Sequence, residues 1–116
     1  MTSTAAAAVL VMSSFSVAAT HDYLAWNRVR WDLGRRLLAE GVDSLNVAGG
    51  FEFNAWHNYD KFRARGNVGK VYYWWYDRRD YLIAMHVPEG YGILRTAQFH
   101  SWVHRRAVPI HVAVKR

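Results

Sequence analysis

The sequence has 116 residues, enough for one small domain with its own core and too few for two. Hydrophobic residues at 52% and charged residues at 21% exclude a disordered tail or a fibre, and the absence of cysteine excludes a disulfide scaffold, a thiolate zinc site and a cysteine nucleophile. The net charge of +6 is uneven: residues 1–58 hold four Arg against five acids, residues 59–116 eleven Lys or Arg against four. That basic second half fits either a phosphate-bearing partner or an ordinary solvated surface.

In chain order, the first element is an uncharged apolar stretch over 5–19, about 22 Å long as a helix and so short of a bilayer core. The end of a membrane helix, a signal peptide without its basic start and a soluble helix are all open. The abrupt apolar beginning favours the first, and with it a chain that is a fragment. Residues 20–116 then form one α+β domain. Thr20 as N-cap and Glu40-Gly41 as stop bound an amphipathic helix over 22–40, with Tyr23, Trp26, Val29 or Arg30, Leu33 and Leu37 on one face.

A short strand over 44–48 enters a turn at Gly49-Gly50. The following stretch, 51–59, mixes aromatic and polar groups, and 60–69 reads as an exposed, mobile loop. From Lys70 the pattern is β: strands over 71–76 and 81–87 across a turn at 77–80, a turn at Pro88-Glu89-Gly90, a strand over 91–102, and a fourth over 110–114 with Pro109 at its entrance. These predict an antiparallel meander of four to five strands.

Few residues suggest chemistry. His100 and His104, four apart in a predicted strand, stand about 13 Å from one another and cannot share an ion. His86 and His111 each stand alone in a strand and read as half-buried, hydrogen-bonded residues. Nucleophile, phosphate-loop and dinucleotide motifs are missing, so no catalytic residue, metal or cofactor is assigned. The polar cluster Glu52, Asn54, His57, Asn58 and Asp60 follows the glycine turn. Glu52 with His57 could form a base or bind a polar ligand; alternatively Glu52 and Asn54 brace the loop while Phe51, Phe53 and Trp56 fill the core. Gly49, Gly50, Glu52, Asn54, Trp56 and His57 are the candidate contact loop. The consecutive aromatics of 71–76 carry no RNA-recognition signature, which disfavours nucleic acid.

Three stretches carry a resemblance. They are Phe15 to Trp31, with Ala25-Trp26-Asn27-Arg28-Val29-Arg30-Trp31; Val47 to Trp56, with Gly49-Gly50-Phe51-Glu52-Phe53-Asn54; and Asp80-Tyr81-Leu82-Ile83-Ala84-Met85 with Pro88-Glu89-Gly90-Tyr91. Together they resemble the C-terminal extracytoplasmic domain of bacterial polytopic glycosyltransferases of the protein-mannosyltransferase and aminoarabinose-transferase type. The sequence departs from that pattern at Ala48, where an acidic residue is usual, at Phe53 for Trp and at Ala55 for Gly. The resemblance implies a transferase that uses a polyprenyl-phosphate sugar donor, with its catalytic acid in a membrane region outside this chain. It further implies an accessory, non-catalytic role for this domain beside a membrane core. The second reading is an independent module whose basic aromatic sheet binds an anionic ligand, a lipid headgroup or nucleic acid.

Overall fold

A computed structural model describes residues 2–66 and 75–116. Its first element, α1 (Thr2–Ala39), is one unbroken helix of 38 residues, about 57 Å long, along the 60 Å long axis of the molecule. The two helical segments read from the sequence are therefore a single element, and Thr20 is not an N-cap. No Gly or Pro interrupts residues 2–33, and the Ser14 and Ser16 hydroxyls donate to the carbonyls four residues back, each at 2.8 Å. Helix α1 stops where the sequence places the stop. Gly41, at φ 93, lets its own N–H reach Leu38 O and the Val42 N–H reach Leu37 O, closing the last turn.

The helix has two characters. Val9, Leu10, Val11, Met12, Phe15 and Val17 are all more than 60% exposed, whereas Arg30, Leu33, Gly34 and Leu37 are buried. The first half is long and apolar enough to cross a membrane, with none of that window buried. Counted from Thr2 to Thr20, the uncharged part spans about 28 Å, close to a hydrocarbon core.

After a 3-10 turn at Ser44–Asn46, capped by Asp43 on the Leu45 N–H, come β1 (Val47–Ala48) and α2 (Phe51–Ala64). Strands β2 (Tyr81–Ala84), β3 (Tyr91–Ser101) and β4 (Arg106–Lys115) follow. The architecture is α+β, and the four-stranded sheet is mixed, in the order β1-β2-β4-β3, so the expected antiparallel meander is matched only in part, by the antiparallel β2, β4 and β3. β1 runs parallel to β2, with Val47 opposite Tyr81, because the connection between them crosses over through α2. β4 is antiparallel to both β2 and β3, and β3 carries a bulge between Ile93 and Arg95.

Several boundaries move. Residues 51–64, read as a polar aromatic segment and a loop, are helix. The strand expected over 71–76 lies, for 71–74, outside the described residues; Trp75 and Tyr76 are not in a strand, and β2 is flanked by β1 and β4. β2 ends at Ala84 and not at residue 87, leaving His86 exposed in a bend; His111 is half-buried and meets Thr96 Oγ1 at 2.8 Å, as expected. β4 begins at Arg106, so Pro109 lies inside it, opposite Gln98. The missing N–H is tolerated there because β2 pairs only as far as His111, leaving that flank of β4 open.

Leu33 and Leu37 of α1, Val47, Phe53 of α2, Ile83, Ile110 and Val112 form the core. The β3–β4 hairpin runs along α1 and is tied to it at both ends. Arg95 makes a two-pronged pair with Glu40 at 2.8 and 2.7 Å, and Asp22 holds Ser101 and the backbone beyond it.

Candidate functional site

The candidate residues divide among three surroundings. The first is a brace. Asn54 is 1% exposed; its Oδ1 accepts the Gly49 N–H at 2.8 Å and its Nδ2 donates to Val47 O at 2.6 Å. One turn on, the buried Asn58 Nδ2 donates to Ser44 O and Trp75 O, and its Oδ1 accepts the Ser44 hydroxyl, which in turn accepts from Lys61 Nζ at 2.7 Å. Placed four apart, both amides face the chain entering and leaving β1 and satisfy backbone groups that the two-residue strand leaves unpaired. Asn54 is thus a structural residue, as the bracing alternative holds.

The second is centred on Arg30, which the sequence analysis leaves as an alternative to Val29. The residue is 5% exposed, and its guanidinium lies 4.4 Å over the Trp26 ring and donates to Asn27 Oδ1 at 2.6 Å and Glu52 Oε2 at 3.1 Å. Gly50 is required beside it: φ is 100, and a Cβ would overlap the guanidinium. Glu52 sits in the first turn of α2. Its own backbone N–H, and then Arg30, hold its carboxyl below the ordinary range, although burial opposes this. Beside this group opens a cavity of 460 Å³ lined by Trp26, Arg30, Gly50, Tyr76, Arg79 and Met85 among others. Two guanidiniums and two aromatic rings around an apolar floor can bind an anionic group attached to a flat, carbon-rich body.

The third holds His57 and Trp56, which point apart. His57 is wedged against Phe53 and Trp31, at ring-centroid distances of 4.5 and 5.9 Å, with Nε2 buried and unpartnered. Burial, then the nearby cations Arg35 and Lys61, lower its pKa. No hydrogen bond joins His57 to Glu52 among the described residues, so the base that the pair suggests is not assembled. Trp56 is 78% exposed and, with Phe51 and Tyr59, lies on the outer surface of α2, not in the core.

Among the described residues no three His, Asp or Glu gather to hold a metal. His100 is the next-to-last residue of β3 and His104 lies in the turn beyond it. Arg79, Tyr76 and the brace residue Ser44 are missed by sequence reasoning, and Asn58 is named there only as a member of the polar cluster. The spacing of Asn54, Asn58 and Phe62 was a usable signal for one helix face. Comparison with family models, with curated proteins and with solved structures finds no match for this chain.

Proposed function

We propose that the chain is a membrane-anchored accessory domain of a polytopic glycosyltransferase of the type it resembles. It stands on the extracytoplasmic side and shapes the site without performing transfer. The observation that carries this reading is the meeting of two motifs of the resemblance that lie 20 residues or more apart in sequence. Trp26, Asn27 and Arg30 of the first close on Gly50 and Glu52 of the second through the buried guanidinium. The unbroken helix α1 supports the membrane side of the reading, since it joins an apolar half with no buried residue to the core of the domain. The exposed Trp56 supplies the side turned toward the membrane core.

A photo-crosslinking residue in place of Trp56 tests it in native membranes. The expected adduct is a polytopic glycosyltransferase, identified by mass spectrometry. Turnover of a polyprenyl-phosphate sugar by the purified chain alone overturns the accessory role.

A second reading, an independent module for an anionic ligand, is favoured by the cavity between Arg30 and Arg79. In that case the solubilised chain binds a phosphorylated sugar by calorimetry, and Arg79→Ala abolishes binding while leaving the fold intact.

A further inference from the structure

The β3–β4 turn lies where the apolar half of α1 ends. Asp22 is the first charged residue of the chain, and its carboxylate accepts the Ser101 hydroxyl, the Trp102 N–H at 2.7 Å and the Val103 N–H at 3.2 Å. His21 stacks on Trp102, with centroids 3.6 Å apart and planes 6° from parallel. The turn is held firmly: the His104 N–H donates to Ser101 Oγ at 2.9 Å, and Arg105 sits at φ 53, which an L residue adopts only when its surroundings impose it.

What this clamp presents is amphipathic. Trp102 is 51% and Val103 39% exposed, beside Tyr23 and Leu24 of α1 at 52% and 54%. Exposed Arg105 and Arg106 follow after His104, and among the described residues neither meets a carboxylate. The one acid nearby, Asp22, is taken up by the turn itself. Next to the turn, a groove of 550 Å³ is lined by Tyr23, Trp26, Phe99 and Val108 together with His104 and Arg106. Aromatic rings at the boundary of an apolar helix, followed by cations, match the order of layers in a leaflet: acyl chains, then phosphates.

We propose that the tip of the β3–β4 hairpin is a second membrane contact, in which Trp102 and Val103 enter the headgroup layer and Arg105 and Arg106 bind the phosphates of anionic phospholipid. The inference rests on the reading that residues 2–20 of α1 lie in the bilayer. Its occupant is argued from continuity with that segment and from the unopposed positive charge.

The chain has no cysteine, so a fluorophore can be placed at one site at a time. Val11→Cys, Val103→Cys and Glu89→Cys variants of the full chain are labelled and reconstituted in discs of phosphatidylcholine containing a lipid-borne quencher, with or without about a third phosphatidylglycerol. Labels at 11 and 103 should be quenched and the label at 89, at the far end of the hairpin, should not. Quenching at 11 with position 103 behaving as 89 overturns the hairpin contact and leaves the anchored helix standing. No quenching at 11 overturns both. Arg105→Glu with Arg106→Glu should lower the preference for phosphatidylglycerol around position 103 by about fivefold per arginine; an unchanged preference overturns the anionic site.

Discussion

His57 is a titratable group whose neutral form the fold favours, chiefly by burial. Its folded pKa lies below the ordinary 6.5, so between the two values the unfolded chain binds more protons and stability rises with pH. Stability should therefore fall as the pH is lowered through and below 6.5. His57→Phe, which keeps the ring between Trp31 and Phe53 and removes the unpartnered Nε2, should flatten the thermal midpoint between pH 7.5 and 5.5. A midpoint with the same pH slope in the variant would show that another group titrates. Asn54→Asp keeps an acceptor for the Gly49 N–H but cannot donate to Val47 O, and it buries a charge. It should lose at least the roughly 1–3 kcal/mol of a stranded buried group, read from urea unfolding. At this scale the sequence showed which types would cluster after the two glycines, but not their partners. Asn54 and His57 are three apart, yet one faces the sheet and the other an aromatic wedge, and only the helical register of 51–64 separates those roles.

Among the elements, α1 and α2 meet at Gly34. A Cβ there would come 2.5 Å from the Phe53 ring, so the helix-weakening glycine is the space in which α2 docks. Gly34→Ala should lower stability even though alanine favours helix by about 1 kcal/mol, and adding Phe53→Leu should restore part of the loss. Equal thermal midpoints for wild type and Gly34→Ala would remove this explanation. The C-terminal end of α1 and strand β3 were legible, because Gly41 and period-2 alternation mark them locally. Helix α2 was not: its exposed face carries Phe51, Trp56 and Tyr59, which blurs the contrast between an apolar and a polar side. Nor was the parallel pairing of β1, since a two-residue strand gives no local sign of its neighbour's direction.

For the whole molecule, the expected behaviour is set by the uncovered apolar half of α1. Deleting residues 1–18 should move the protein from the membrane to the soluble fraction with its thermal midpoint nearly unchanged, because the first buried residue of α1 is Arg30 and the hydrophobic core begins at Leu33. Identical fractionation of both forms would contradict the anchor. That an apolar helix opens the chain was legible; that it continues without a joint into the domain was not, since Thr20 and Asp22 together imitate a helix start. This missing joint couples height to azimuth. Each residue inserted between the apolar half of α1 and the domain displaces the domain by about 1.5 Å from that half and also turns it by about 100°. A flexible tether would let the domain sample every heading; here one inserted alanine after Ala18 would swing the α2 face toward a different neighbour, and seven would return it to within about 20° of its starting heading. With residues 2–20 held in a bilayer, the number of residues between that segment and the domain would set the domain's heading as a compass does, and with it the side that faces along the membrane.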